Sequence, residues 1–381
     1  MVGFMPALDD ILQQKIAVLE SKQQRRSLRA TDRVSGVEVK RGGKTLISFS
    51  CNDYLGLSQH PKVVSAAKAA LEKYGAGAGA SRLVTGNFPL YDELESLLAA
   101  YKGTEAACVF GSGYLANMGA IPALMGKNDL ILADKFVHAC MVDAAKLSGA
   151  TVMRFAHNNF EHCKMLLEAN RMEYQNCLIL TETVFSMDGD LGIVRGLKTL
   201  ANASDSWLMT DDAHGLGVLP KHDGLADIQM GTLSKAAGSY GGYVCGSKTL
   251  VDYLKTAART LIYSTALPPA VVAASIAALK IMESEPELVA KPLQNAKYFT
   301  QILELPEAES AIVPVVLKEN EKALAAAKLL EEKGFLVAAI RPPTVPENTA
   351  RLRFAFSALH TREQIEAVAE IIKTQGWLCE S

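Results

Sequence analysis

The chain has 381 residues, and its 39 lysines and arginines against 41 aspartates and glutamates give a formal net charge of −2. Hydrophobic residues make up 49% and charged residues 21%, a composition that excludes disordered, collagen-like and coiled-coil proteins. The near-neutral balance gives no overall attraction toward nucleic acid or acidic membranes.

The cysteines and the apolar stretches indicate where the chain resides. Seven cysteines are scattered without a CxxC pair, so we expect buried free thiols in a reducing compartment and no zinc site or other metal site. The first six residues lack a basic flank, so we expect no signal peptide. The most apolar stretch, 266–282, is interrupted by two prolines, a serine and Lys280 and is too short to span a bilayer. We therefore expect a cytoplasmic protein with no membrane or nucleic-acid partner.

The first 45 residues predict a polar helix followed by a β-hairpin. The helix ends near Arg25, Arg26 and Arg29, and the run Arg41-Gly42-Gly43-Lys44 is typical of a tight turn between strands. We treat 1–45 as a separate N-terminal segment.

The middle of the chain, 46–284, alternates short apolar runs with stretches of helical spacing. The runs predicted as strands are Ala106–Phe110, Asp129–Ala133, Thr151–Phe155, Cys177–Thr181, Trp207–Thr210 and Tyr243–Cys245. This alternation predicts an α/β fold in which a mostly parallel central sheet is covered by helices. Because ligands of such sheets bind beyond the carboxyl ends of the strands, chemistry is expected just after each apolar run.

The pattern changes at about residue 285, where a smaller α+β C-terminal domain is predicted over 285–381. Its predicted elements, in chain order, are a helix from Pro286 to about Leu303, a strand at Ala311–Leu317, a helix at Glu321–Lys333, strands at Leu336–Ile340 and Arg351–Phe356, and a helix from Thr361.

Nucleotide binding fails its sequence tests. A P-loop ending at Gly43-Lys44-Thr45 would need glycine at position 38, which is Glu38. The glycines at 75, 77 and 79 follow a helix and have the wrong spacing for a dinucleotide-binding loop. A nucleotide-binding or dehydrogenase domain is therefore disfavoured.

The segment Thr232-Leu233-Ser234-Lys235, followed by Gly238 and Gly241-Gly242, places a lysine among small residues at the end of an apolar run. Burial favours the neutral, nucleophilic form of an amine, although a solvated lysine at a strand end is the simpler interpretation.

Asp211 and His214 follow the strand at Trp207–Thr210 directly. A carboxylate held there beside a pyridine nitrogen would keep that nitrogen protonated, and the histidine could hydrogen-bond a ring oxygen; an ordinary turn with a structural histidine is the alternative. The strand–Asp–x–x–His pattern with a lysine among glycines some twenty residues later matches the pyridoxal 5'-phosphate (PLP) constellation.

A phosphate site is predicted where the strand ending at Phe110 meets a helix. The run Gly111-Ser112-Gly113-Tyr114 would expose amides at the helix N-terminus, although glycines there could serve packing alone. His138 opens another helix after Asp134 and could stack on a cofactor ring, or simply cap the helix.

Taken together, these motifs resemble the α-oxoamine synthases, a family of fold-type I PLP-dependent transferases, nearly from end to end. The segments that carry the resemblance are Asn52–Leu57, Gly79–Arg82 with Thr85-Gly86, Thr183–Asp190, Asp211–Gly215 and Thr232–Lys235.

The resemblance implies a role for each site residue. Lys235 would bind the cofactor covalently and act as general base, Asp211 would pair with the ring nitrogen, and His138 would stack on the ring. His214 and Ser186 would contact the ring hydroxyl. The phosphate would be held by Ser112, Gly113, Tyr114 and Thr232, and by Ser264 and Thr265 from a partner subunit in a homodimer with shared active sites. The substrate site would include Arg353 (with Arg351 as the alternative), Asn52, Glu182 and, at the acyl end, Arg29.

Within the family, the run 339–346 with Arg351 and Arg353 resembles the branch that condenses L-alanine with a pimeloyl thioester, carried by CoA or by acyl carrier protein, in biotin biosynthesis. Glu347-Asn348 replaces the usual glycine-containing turn of that branch. A branch that uses glycine or serine, and a catalytically silent partner subunit, are the remaining alternatives; Lys235 and Asp211 disfavour the second.

Overall fold

The computed structural model describes residues 7–219 and 225–378. Cys379 and the first six residues, on which two of the expectations above rest, lie outside the described residues.

The helices are α1 Leu8–Ser21, α2 Pro61–Tyr74, α3 Pro89–Lys102, α4 Gly113–Leu124, α5 Ala139–Ser148, α6 Phe160–Asn170, α7 Val194–Ala203, α8 Lys248–Ala257, α9 Arg259–Ile262, α10 Pro269–Ser284, α11 Pro286–Ile302, α12 Asn320–Glu332 and α13 Arg362–Thr374. The strands are β1 Asp32–Ser35, β2 Glu38–Arg41, β3 Lys44–Ser48, β4 Ala106–Phe110, β5 Leu130–Asp134, β6 Thr151–Phe155, β7 Cys177–Glu182, β8 Trp207–Asp211, β9 Ile228–Thr232, β10 Gly242–Gly246, β11 Ile312–Lys318, β12 Phe335–Leu336, β13 Ala338–Ile340 and β14 Ala350–Ala355.

The chain divides into two compact units. The first comprises the described parts of Met1–Ser50, Pro314–Phe354 and Thr361–Ser381, and the second comprises those of Cys51–Val313 and Ala355–His360.

The second unit is built on a sheet with the strand order β4-β10-β9-β8-β7-β5-β6. Neighbouring strands from β9 to β6 are parallel, and β10 runs antiparallel to both β9 and β4. The α/β fold with a mostly parallel sheet is therefore confirmed, as are the six predicted strands. The sequence did not reveal β9, because Gln229 and Gly231 interrupt its apolar run although both are buried inside the sheet.

Helix α10 explains the most apolar stretch of the sequence. It begins with Pro269 in its first turn and is buried along most of its length, where it packs against α2 and α3 within the second unit. A helix that is apolar all round belongs in a protein core when it is this short. None of the described helices is long and apolar enough to cross a membrane.

The strand directions place the ends of several strands at one edge of the sheet. Strands β5, β7, β8 and β9 are mutually parallel, and β4 shares their direction because β10 is antiparallel to both β4 and β9. Their carboxyl ends therefore meet at the same edge, which is where ligands bind in such sheets.

The first unit contains a sheet of order β1-β2-β3-β12, and β13 pairs with β14 in a second sheet. The hairpin predicted at Arg41–Lys44 is the β2–β3 connection. The strand predicted at Leu336–Ile340 is wrong in one respect: Phe335–Leu336 pairs with β3, whereas Ala338–Ile340 pairs with β14. The two pieces belong to different sheets, and an apolar run does not show where a chain leaves one sheet for another.

Candidate active site

Asp211 ends β8 as a buried carboxylate that is 4% exposed. Its Oδ1 accepts a hydrogen bond from the backbone N–H of Ala213 (2.9 Å), and its Oδ2 accepts one from Nδ2 of Asn117 (3.0 Å). A carboxylate at a strand end that accepts a hydrogen bond at each oxygen is fixed in orientation.

Lys235 follows β9 and is half-buried. Its Nζ lies 2.8 Å from Nε2 of His214, whose Nδ1 lies 2.7 Å from the hydroxyl of Tyr54. The Tyr54 hydroxyl donates to Oδ1 of Asn52 at 3.3 Å. His214 therefore uses one ring nitrogen toward the Lys235 amine and the other toward the Tyr54 hydroxyl. The predicted residues Lys235, His214 and Asn52 are thus joined by one hydrogen-bonded chain.

Glu182 and His138 lie beside Asp211. Glu182 is opposite Asp211 in the sheet, and its Oε1 accepts the backbone N–H of His138 at 2.5 Å. Burial, followed by the charge of Asp211, raises the pKa of Glu182 well above its usual range. Burial lowers the pKa of His138 and Lys235 acts in the same direction, while Asp211 opposes them. The site therefore favours a neutral carboxyl at Glu182 and a neutral imidazole at His138.

The first turn of α4 forms the predicted anion site. Ser112 caps the helix by accepting the backbone N–H of Leu115 (3.2 Å). A Cβ added to Gly113 would lie 3.4 Å from Cβ of Thr232, and one added to Gly242 would lie 2.3 Å from the carbonyl oxygen of Ser112. The glycines thus let the helix N-terminus pack against the sheet and bring its amides beside the Thr232 hydroxyl. Such a cradle fits a phosphate group.

Other predicted cofactor residues lie on neighbouring loops. The Tyr114 side chain is exposed, and its hydroxyl donates to Oδ2 of Asp143 at 3.0 Å. Ser186 is half-buried in the turn after β7. Ser264 is half-buried and Thr265 is exposed, after α9.

The turn after β8 is held by a buried ion pair that was not predicted from the sequence. Nζ of Lys102 lies 2.7 Å from Oδ2 of Asp212, and both side chains are at most 5% exposed. Thr183 donates to the other oxygen of Asp212 at 2.6 Å. The positive charge of Lys102 thus balances the negative charge of Asp212, the carboxylate next to Asp211 in the sequence.

Asn117 and Cys140 were also missed, although one signal was available. Asn117 stands four residues after Gly113, and residues four apart share a helix face. Its position on α4 could therefore have been connected with the anion site. Cys140 gave no comparable signal, since a cysteine in an apolar segment is typical of a protein core.

The predicted substrate arginines belong to the first unit. Arg351 and Arg353 lie two residues apart on β14 and are 4% and 6% exposed. Nε of Arg351 donates to the carbonyl oxygen of Thr349 at 2.9 Å. Arg29 is exposed and forms two hydrogen bonds with the Glu331 carboxylate, at 2.9 and 3.1 Å. A cavity of about 710 Å³ in this unit is lined by Arg29 together with Arg41, Lys44 and Arg341 among others.

Comparison with known proteins identifies close sequence relatives. Residues 44–372 match the family of class I and II aminotransferases. The 8-amino-7-oxononanoate synthase of Methylobacterium nodulans is 54% identical over 371 residues, which cover 97% of this chain and 98% of that protein. The enzyme of the same name from Methylocella silvestris is 56% identical over 88% of this chain and 99% of its own length.

Solved structures with the same architecture are more distant in sequence. A serine palmitoyltransferase from S. paucimobilis with a bound PLP–myriocin aldimine has a TM-score of 0.90 and 29% identity over 98% of both chains. An 8-amino-7-oxononanoate synthase from Francisella tularensis has a TM-score of 0.73 and 30% identity over 87% of this chain and 98% of that chain.

Proposed function

Because the chain belongs to the 8-amino-7-oxononanoate synthases, PLP-dependent acyltransferases within the class I and II aminotransferase family, we propose that it condenses L-alanine with a pimeloyl thioester. The products are 8-amino-7-oxononanoate, CO₂ and the free thiol. The observation that carries this proposal is the juxtaposition of Lys235, His214 and Asp211 at one sheet edge, in a chain 54% identical to a relative of that name.

The residues at this edge match the parts of PLP. The amides of Ser112, Gly113 and Tyr114, with the Thr232 hydroxyl, would hold the phosphate, and Asp211 would hold a proton on the ring nitrogen. His138 would lie over the ring, and His214 and Ser186 would contact the ring hydroxyl. When bound, PLP supplies an electron sink that stabilises negative charge at the amino-acid α-carbon.

Lys235 would carry the covalent attachment and the main proton transfer. Its amine would bind the cofactor aldehyde and, once released by the incoming amino acid, would take the α-proton. His214 is hydrogen-bonded to both Lys235 and Tyr54, so the amine is held in a fixed direction between catalytic cycles. Fixed placement of a base within reach of the proton is what general-base catalysis requires.

The substrates would be recognised by groups of matching charge. A buried arginine fork is suited to a carboxylate, and Arg353 on β14 is our choice for the alanine carboxylate, with Arg351 as the alternative. Asn52 and Glu182 would line the amino-acid site, and Arg29 would meet the acyl end. The thioester would be carried by CoA or by acyl carrier protein.

We propose that the protein acts in the cytoplasm as a homodimer with shared active sites. Ser264 and Thr265 would reach the phosphate bound by the partner subunit, and the side chain of Thr265 is exposed in a single chain. Tyr240 and Tyr263 are 51% and 72% exposed, as expected for side chains that a partner would cover. The cysteines of the described residues are free, as expected of a protein kept in a reducing compartment.

Two alternatives come from the same architecture. One is a 2-amino-3-ketobutyrate CoA ligase, which joins glycine to an acetyl group. The other is an enzyme that joins serine to a palmitoyl group, because the fold is similar to that of a serine palmitoyltransferase. The identity of 54% to 56% with 8-amino-7-oxononanoate synthases, against 29% with the palmitoyltransferase, favours alanine and the pimeloyl group.

The experiment compares kcat/KM for three substrate pairs with the purified holoenzyme. These are alanine with pimeloyl-CoA, glycine with acetyl-CoA, and serine with palmitoyl-CoA. The proposal expects the first pair to exceed the others by at least about 100-fold, the discrimination that a fitted pocket achieves. Comparable or better turnover of either other pair would contradict it.

A further inference from the structure

We propose that Asn117 and Cys140 are positioning residues that hold His138 in its neutral form with the proton on Nε2, and that they connect it to Asp211. The four side chains form a continuous hydrogen-bonded chain from the end of β8, through α4, to the start of α5. Asp211, Asn117 and Cys140 are buried, and His138, at the end of the chain, is partly exposed. The inference rests on the proposed function only in assigning His138 and Asp211 to the cofactor ring.

The direction of each hydrogen bond in this chain follows from which atoms carry hydrogens. Nδ2 of Asn117 lies 3.0 Å from Oδ2 of Asp211 and 3.1 Å from Sγ of Cys140. The amide nitrogen has two hydrogens and can only donate, so one goes to the carboxylate and the other to the sulfur. The opposite orientation of the amide would set its oxygen against the Asp211 carboxylate, so Asp211 fixes the orientation of Asn117.

The second half of the chain fixes the imidazole. Nδ1 of His138 lies 3.2 Å from the backbone nitrogen of Cys140 and 2.9 Å from its Sγ. A backbone N–H can only donate, so Nδ1 must present a lone pair to it. Because Nδ1 then has no hydrogen to donate, the contact with the sulfur is a hydrogen bond from the Cys140 S–H to Nδ1. Two donors at Nδ1 leave the ring proton on Nε2.

The thiol keeps the hydrogen that this arrangement requires. Cys140 is 2% exposed, and burial followed by the charge of Asp211 raises the pKa of its thiol to about 12. The charged or titratable groups that face His138 are Asp211 and Glu182 on the sheet, Lys235 after β9, and Asp143 on α5. These groups carry charges of both signs and act on His138 in opposite directions. The two hydrogen-bond donors at Nδ1 favour the neutral ring.

The consequence is a defined chemical role for the histidine. A neutral ring with Nδ1 occupied offers Nε2–H, so His138 can donate a hydrogen bond to a substrate or cofactor oxygen but cannot accept a proton through Nδ1. The Asn117 amide donates to both Asp211 and Cys140. A displacement of the Asp211 carboxylate therefore also moves the donor of the Cys140 sulfur. Asp211 and His138 are therefore coupled through the protein itself.

The test is nitrogen NMR of His138 in ¹⁵N-histidine-labelled holoenzyme without substrates, with His138→Asn used to assign the signal. We expect an unprotonated Nδ1 and a protonated Nε2 at pH 7. In Cys140→Ala, the loss of one donor should raise the pH at which His138 titrates by about 0.5 to 1 pH unit. Cys140→Ser, which retains a donor, should titrate as the unchanged protein does.

Cys163→Ala is the matched control, because Cys163 is also fully buried but lies on α6, away from His138. It should leave the titration of His138 unchanged even if it lowers stability. A proton on Nδ1, a charged ring at pH 7, or an unchanged titration in Cys140→Ala would overturn the inference. Because no substrate is present, these outcomes are independent of whether alanine and the pimeloyl thioester are turned over.

Discussion

Asp211 ends β8 and Lys235 follows the neighbouring strand β9, and each side chain is held by its own hydrogen-bonded chain. Lys235 contacts His214, which reaches Asn52 through Tyr54, and Asp211 contacts Asn117 on α4. The amine and the carboxylate therefore keep their positions without contacting each other's partners. The two side chains can therefore be altered separately by mutation.

Replacement of Lys235 by alanine should reduce kcat by at least about 1,000-fold, because both the covalent attachment and the base are lost. PLP would still bind through its phosphate, but borohydride should no longer fix it to the protein. Absorbance spectra and peptide mass mapping after reduction measure this. Lys248→Ala, at the exposed start of α8, is the control and should retain the label. A label that persists in Lys235→Ala would contradict the assignment.

Asp211→Asn should lower kcat by roughly 100- to 1,000-fold, the range observed when one preorganised electrostatic partner is removed. The amide keeps the size of the side chain but cannot hold the ring proton as a carboxylate does. Kinetics and the absorbance spectrum of the bound cofactor measure the effect. Asp205→Asn is the control, since the Asp205 side chain is fully exposed, and it should be neutral. Equal activity of the two variants would rule out the role given to Asp211.

Residues within motifs were predictable, whereas their partners were not. Lys235, Asp211 and Ser112 stand in local patterns whose chemistry depends on a strand or helix end. Asn117 meets Asp211 across 94 positions, and Lys102 meets Asp212 across 110. Such pairs are set by which strands are neighbours, and a single sequence does not contain that information.

At the scale of elements, His157 joins the end of β5 to the loop that follows β7. Its Nδ1 lies 2.9 Å from Oδ1 of Asp134, the last residue of β5, and its Nε2 lies 2.7 Å from Oδ2 of Asp190, after β7. The ring also packs on Phe136 and Phe185. Burial lowers the pKa of His157, but the two carboxylates outweigh burial and raise it to about 10.

His157→Gln should therefore destabilise the protein in a pH-dependent way. Because the folded-state pKa is raised, the stabilisation is complete below the unfolded value of about 6.5 and is lost as pH rises through about 10. The difference in unfolding free energy between the parent and His157→Gln should be largest near pH 6 and smaller at pH 10. Urea unfolding at both pH values measures it. A difference that grows with pH would contradict a charged His157.

The contact between the first turn of α4 and β10 should be sensitive to a single methyl group. Gly242→Ala would place a Cβ 2.3 Å from the carbonyl oxygen of Ser112, so the helix N-terminus must move. We expect the Kd for PLP to rise by about tenfold or more, equivalent to a loss of about 1.4 kcal/mol. Gly126→Ala, where the nearest atom would be 3.9 Å away, is the control. Unchanged PLP affinity in Gly242→Ala would count against the anion site.

At the scale of the whole molecule, the apolar runs were sufficient to predict the α/β class, because fully buried parallel strands are continuous in hydrophobicity. The strand order was not predictable. Strand β10 lies between β4 and β9 in the sheet, although 131 residues separate the end of β4 from the start of β10 in the sequence. The grouping of Met1–Ser50 with Pro314–Phe354 likewise depends on pairing between distant segments, such as β3 with β12.

The proposed sharing of active sites between subunits can be tested by subunit mixing. Lys235→Ala and a Thr265→Arg variant would each be inactive alone, but a hybrid dimer would contain one site with neither change. When equal amounts of the two variants exchange subunits at random, about half of the dimers are hybrids. Each hybrid has one intact site out of two, so about a quarter of wild-type activity should return. No recovery in dimers shown to have exchanged subunits would exclude a contribution of Thr265 across the interface.

The most direct test of the proposed reaction uses alanine labelled with ¹³C in its carboxyl group, together with pimeloyl-CoA. Decarboxylative condensation requires that each labelled carboxyl leave as ¹³CO₂ for each free thiol formed, while the remaining carbons of alanine appear in 8-amino-7-oxononanoate. We expect a one-to-one ratio of ¹³CO₂ to thiol and no label in the product. Thiol release without ¹³CO₂, or a labelled product, would contradict the account.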